Sequence, residues 1–141
     1  MPARSATSAV ASTKPVDEKL TINIGVVDLG QIDLLVREGF YANRTDLIRT
    51  AIRNQLATHA TEVRQAVARK TLMLGIQHFS AADLQAVRKA RQTLQVRVLG
   101  LASIAADVTP DLALATIESI VVLGSLHASP AVKAALAARM G

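Results

Sequence analysis

The sequence predicts an α+β chain in two parts: one strand followed by two amphipathic helices, then an α/β domain of about three strand–helix units. Three observations carry this. Lys19-Leu20-Thr21-Ile22-Asn23-Ile24 alternates strictly between polar and apolar residues, the period of a half-buried strand. Two segments behind it, about Leu29–Val36 and Leu47–Leu56, repeat apolar residues at helical spacing. Leu74-Gly75, Leu99-Gly100 and Leu123-Gly124 then recur 25 and 24 residues apart. The expected segmentation is a flexible arm at 1–17, a strand–helix–helix domain at 18–57, a helical connector at 58–70 and the α/β domain at 71–141.

The totals bound what the chain does. Its 141 residues permit one compact domain or two small ones. Half are hydrophobic, yet there are two Phe, one Tyr and no Trp, so the cores must be built from Leu, Ile, Val and Ala. The net charge is +5, which suits an anionic partner. Without cysteine, disulfides, thiolate zinc sites and cysteine nucleophiles are excluded. No apolar run approaches the ~20 residues that span a bilayer, and no signal-peptide core is present. A cytoplasmic protein with no membrane partner is expected.

Residues 1–17 are rich in Ala, Ser, Thr and Pro without periodicity, and read either as a flexible arm or as a basic one that touches an anion through Arg4 and Lys14. In the strand, Leu20, Ile22 and Ile24 share one face, and Lys19, Thr21 and Asn23 the other. Alone it exposes an apolar face and two unpaired edges, so an identical strand from a second copy is expected beside it. Asp28 is the predicted cap of the first helix, with Gln31 as capping-box partner and Val27 and Ile32 as a staple. Leu29, Ile32, Leu35 and Val36 form its stripe, and Gly39 its stop. Asn43 is the predicted cap of the second helix, with Asp46 in the reciprocal position. Leu47, Ile48, Ala51, Ile52 and Leu56 are its stripe. No breaker follows before about Arg69, so one continuous helix is expected.

In the second half each Leu-Gly pair ends an apolar run and precedes a helix-start signal: Ser80-Ala81-Ala82-Asp83, Thr109-Pro110-Asp111 and Ser129-Pro130-Ala131. Such a unit cannot bury its apolar face alone, so parallel strands with helices on one side are expected. Either the units are a true repeat, or they form an ordinary α/β domain.

Residues 19–56 resemble the ribbon-helix-helix family of DNA-binding proteins, the CopG/Arc/MetJ type. The resemblance rests on the alternating strand and on Ile32 to Arg53, where the turn Gly39–Thr45 precedes a Leu-Ile-Arg-x-Ala-Ile-Arg helix. The link Gly25–Val27 is short and lacks the proline often found there. The resemblance implies an N-terminal ribbon-helix-helix domain, an intertwined homodimer with a two-stranded antiparallel ribbon in the major groove of double-stranded DNA. Lys19, Thr21 and Asn23 are then the base-contacting residues: Lys donates to guanine, Asn pairs with adenine, and Thr reaches either polar edges or a thymine methyl. The start of the second helix, Asn43, Arg44 and Thr45, is implied as the clamp on DNA phosphates.

The remaining chemistry is sparse. His59 stands alone. His78 and His127 each follow a Leu-Gly glycine by three residues, with Ser103 in that place in the middle unit. In a parallel sheet those histidines are two strands, about 10 Å, apart, too far for one metal ion, and nickel-responsive relatives carry a cysteine and closer histidines. No acid pair, triad or phosphate loop appears, and Asp107 and Asp111 read as turn and cap residues. The expectation is therefore a non-enzyme with no cofactor and no metal. The leading reading is a dimeric, sequence-specific, nucleoid-associated transcriptional regulator, most simply a repressor, with residues 71–141 serving higher oligomers or effector sensing. The alternatives are a self-assembling structural protein built on the C-terminal units, and the antitoxin of a toxin–antitoxin pair.

Overall fold

The computed structural model describes residues 17–141; the expected N-terminal arm lies outside these but for Asp17. The described residues fall into two units, Asp17–Ala66 and Val67–Gly141.

The first unit is a helical hairpin preceded by a segment outside any helix or strand, residues 17–25. Leu20, Ile22 and Ile24 are 79, 65 and 43 % exposed. A strand is defined by a hydrogen-bonded neighbour, and a second copy of the segment is not part of the single chain. Helix α1, Val26–Arg37, starts earlier than its sequence suggests. Gly25 is the capping residue, and the Leu29 amide donates to its carbonyl at 3.0 Å. Asp28, Val27 and Gln31 are thus inside the helix, and the expected box and staple around Asp28 are replaced. Asp28 instead places a negative charge in the first turn, where the helix dipole favours it. The stop is as expected. Gly39 has φ +89°, and the Gly39 and Phe40 amides donate back to the Val36 and Leu35 carbonyls at 3.1 and 3.0 Å.

Helix α2 spans Arg44–Thr58 and α3 spans Ala60–Lys70. The expected single helix is broken at His59, which has φ −104° and ψ 17°. The Thr58 hydroxyl donates to the Asn54 carbonyl at 3.1 Å, a contact that bends helices, and the His59 amide shifts to the Leu56 carbonyl. None of the three helices has a buried residue. Their apolar stripes, including Leu34, Ile48, Ile52 and Leu56, stay exposed in the single chain.

The second unit is a three-stranded parallel sheet in the order β1-β2-β3: Met73–Phe79, Leu94–Ile104 and Ile117–His127. Helices α4 (Ala81–Lys89), α5 (Pro110–Thr116) and α6 (Pro130–Leu136) follow the strands in turn, and a short 3-10 turn, Ala137–Arg139, leads to Met140, which bridges in parallel to Ile120 of β3. Each helix starts where the sequence signals. The Ser80, Thr109 and Ser129 hydroxyls accept from the amides of Asp83, Leu112 and Val132, and Asp83 closes a capping box on Ser80. The recurring glycines are in register, Gly75 beside Gly100 and Gly100 beside Gly124. Their φ angles are +119°, +138° and +127°, open only to glycine at low cost. A Cβ on Gly100 would lie 2.2 Å from the Gly75 carbonyl oxygen, and one on Gly124 2.1 Å from that of Gly100. Side-chain-free strands at this level let the backbones pass.

One face of the sheet carries the core. Val96, Val98, Ala102 and Ile104 of β2 and Ile120 of β3 bury against Leu84, Leu112, Ala113, Val132 and Leu136 of the helices. The expected arrangement of helices on one side is therefore observed. Thr116 is buried, and its hydroxyl donates to the Leu112 carbonyl at 2.7 Å. Arg139 donates through one Nη1 to the Leu114 and Ile117 carbonyls at the end of α5. The opposite face alternates with the core residues. Its rows are Leu74, Leu99 and Leu123; Ile76, Leu101 and Ser125; His78, Ser103 and His127.

Candidate nucleic-acid interface

Local chemistry places the predicted site residues on two segments of the first unit. Lys19, Thr21 and Asn23 all lie exposed on the segment ahead of α1. Their neighbours Leu20, Ile22 and Ile24 are apolar and also exposed. One surface of this stretch thus needs cover, and the other can meet water or a polar ligand.

Asn43, Arg44 and Thr45 form the start of α2. Asn43 is extended, with φ −165° and ψ 178°, and its Oδ1 accepts from the Asp46 amide at 2.8 Å. The Asp46 carboxylate in turn accepts at 2.9 Å from the amide of Ala42 rather than from that of the capping residue. The turn and the helix start are thus locked together by two side chains. All three predicted phosphate-binding residues are exposed. The first turn of a helix presents free amides and positive potential to solvent, and here it does so beside a guanidinium.

That guanidinium has a partner the sequence reading did not assign. Arg44 Nε and Nη2 donate to the two carboxylate oxygens of Asp33 on α1, at 2.7 and 2.9 Å. The pair crosses from one helix of the hairpin to the other. The hydrogen bonds from Arg44 hold the Asp33 carboxyl below the usual carboxylate range, and the charges of Arg44 and Arg37 add to this. Arg44 is correspondingly pushed further up by Asp33. Both side chains are about half exposed, so the pair is solvated and exchangeable. The available signal in the sequence was the carboxylate on α1 four residues before Arg37, on a helix that the Gly39 turn folds back along α2.

The histidine rows match the register expected from the sequence. His78 lies beside Ser103, which lies beside His127, and His78 Nδ1 is 3.2 Å from the Ser103 hydroxyl. His59 is 3.2 Å from Gln55 Nε2 through its Nε2 and 3.9 Å from Glu62 through its Nδ1. No helix among the described residues is long and apolar enough to cross a membrane.

An alternating segment, a helix, a glycine turn and a capped second helix, in that order, define a class of DNA-binding regulator. The model of the ribbon-helix-helix transcriptional regulator family matches residues 15–133, and the chain belongs to that family. Proteins of this kind bind DNA, typically as dimers, and are generally not enzymes. The match runs well past the helical hairpin, through the sheet and into α6. The second unit is thus included in what the family shares. No curated protein and no solved structure matches the chain.

Proposed function

We propose that this protein is a sequence-specific repressor that binds DNA as a homodimer, with Lys19, Thr21 and Asn23 reading bases. The observation that carries the reading is the segment Lys19–Ile24. Its apolar residues are exposed in one chain, directly ahead of a hairpin whose own apolar stripes are exposed too. Antiparallel pairing with a second copy gives Leu20, Ile22 and Ile24 a core to cover and satisfies one backbone edge of each strand. Lys19, Thr21 and Asn23 then face outward on a ribbon narrow enough for the major groove, about 12 Å wide. Asn43, Arg44 and Thr45 hold a phosphate on each side and set the orientation without reading sequence. The second unit joins copies of the chain.

A binding-site selection from random duplex DNA with the purified full-length protein tests this. The expected result is a short, two-fold symmetric site. Retention of no DNA at low salt would overturn the reading, and an asymmetric site would overturn the dimeric ribbon.

A further inference from the structure

The sheet of the second unit has one covered face and one open face. The open face carries Leu74, Ile76, Leu99, Leu101 and Leu123, and ends in the row led by His78. Leu74, Ile76 and Leu123 are 73, 64 and 51 % exposed, while Leu99 and Leu101, on the middle strand, are half-buried. Parallel sheets are normally covered on both faces, and contiguous exposed apolar patches mark interaction surfaces. We infer that this face packs against the same face of a second copy of the chain, forming a two-layer sheet sandwich.

Two features point to a second copy rather than a different partner. The first is charge. From Leu99 onward on β2, and along β1 and β3 beside it, the face holds no Lys, Arg, Asp or Glu. A two-fold contact sets this face against itself, residue i meeting j and j meeting i, so a face without Lys, Arg, Asp or Glu packs on itself with none of those charges opposed or buried. The nearest charge on this face, Arg97, donates to the Lys70 carbonyl at the margin, at 3.4 Å. The second feature is size. Three strands about 4.8 Å apart and roughly eight residues long cover on the order of 400 Å². A standard interface takes ~800 Å² from each partner, so the patch is too small to join free monomers. It is sufficient for copies already held together, where a tether gives millimolar effective concentration. This second argument rests on the proposed dimer of the first unit.

The chain has no cysteine, so single cysteines report without background. Leu101→Cys at the centre of the face and Ile76→Cys nearer the edge are compared with Arg88→Cys, exposed on α4, in the full-length protein. The probe is a bis-maleimide of about 10 Å, the separation of packed sheets. The oligomeric state is measured in parallel by light scattering. The expected result is a dimer or a multiple of it, with one or both face cysteines cross-linking chain to chain at least roughly tenfold faster than the Arg88→Cys control. A dimer whose face cysteines cross-link no faster than the control overturns the sandwich and leaves the ribbon dimer standing. A monomer overturns both. Face cysteines that resist even a monofunctional maleimide, and react once residues 1–16 are deleted, show that the chain's own N-terminus covers the face, and overturn the inference. The Ile76→Cys variant keeps the test decisive if Leu101→Cys does not fold.

Discussion

Arg44 at the first position of α2 is gripped by Asp33 of α1 through two parallel hydrogen bonds of 2.7 and 2.9 Å. Arg44, the proposed phosphate contact, is thus already paired in the free chain. A phosphate must compete with a carboxylate for the same fork, or share it. Asp33→Asn should therefore raise affinity for all sequences alike. It should steepen the dependence of log K on log salt by up to about one unit, since an unpaired Arg44 displaces one more counterion from the DNA backbone. Titration of a non-specific duplex across a salt series checks this; unchanged affinity and slope would show that the pair plays no part in binding.

Base contact and phosphate contact separate by their effect on discrimination. Asn23→Ala should narrow the gap between a selected site and a random duplex by about 1–3 kcal/mol per base pair read, with little change in non-specific binding. Arg44→Ala should weaken both to a similar extent and flatten the salt slope by about one unit. The two variants exchange signatures if the roles are reversed.

Acid stability should carry the mark of the capping box at Ser80. Hydrogen bonds from the Ser80 amide and hydroxyl hold the Asp83 carboxyl below its ordinary value of 3.8. A carboxyl lowered on folding stabilises the fold fully above its unfolded pKa, and that contribution is lost as the pH falls through the folded value. Neutral pH should thus lie on a plateau, with Asp83 contributing to the loss of stability below about pH 4. Asp83→Asn should lower the plateau and shallow the acid limb, as followed by denaturant melts from pH 7 to pH 2.

The glycine row makes a steric prediction. Gly100→Ala adds a methyl 2.2 Å from the Gly75 carbonyl oxygen at φ +138°, and neither the backbone nor the dihedral can yield cheaply. A loss of several kcal/mol is expected, at the upper end of single substitutions, with loss of the sheet signal by circular dichroism. Gly75→Ala meets nothing within 4 Å and carries only the dihedral cost, so it should be the milder of the two.

A gain is expected at the end of α4. Arg91 sits at φ +56° in the place glycine usually takes, with the Gln92 amide donating to the Val87 carbonyl at 3.1 Å. Arg91→Gly should stabilise the fold by about 0.5–1 kcal/mol, the relief of left-handed strain less the added freedom of the unfolded chain. Thermal or chemical melts read the sign directly.

Much of this architecture was legible in the residues because it rests on local chemistry. Ser80, Thr109 and Ser129 announce their helices by capping them, and the Leu-Gly spacing gives the register of Gly75, Gly100 and Gly124 without any long-range information. The misreadings occur where two local signals compete. Asp28 looks like a cap, but Gly25 takes the turn first and leaves Asp28 to the dipole. The break at His59 has no Gly or Pro to mark it; the hydroxyl bond from Thr58 to the Asn54 carbonyl accompanies it. The Asp33–Arg44 pair was hidden because it depends on how two helices fold together, which spacing along one helix does not encode. The base-reading trio stands as a proposal for a related reason: its proposed partner is another chain.

The bare hairpin has a consequence for the protein's own lifetime. With no buried residue in α1, α2 or α3, the proposed dimer would supply the first unit's core, and the stability of that unit would then follow the law of mass action. In the proposed dimer, chains at concentrations below the dissociation constant would present Leu20, Ile22 and the open stripes to proteases, whereas chains above it would conceal them. Abundance then sets survival, with slow accumulation at first and persistence once a threshold is crossed.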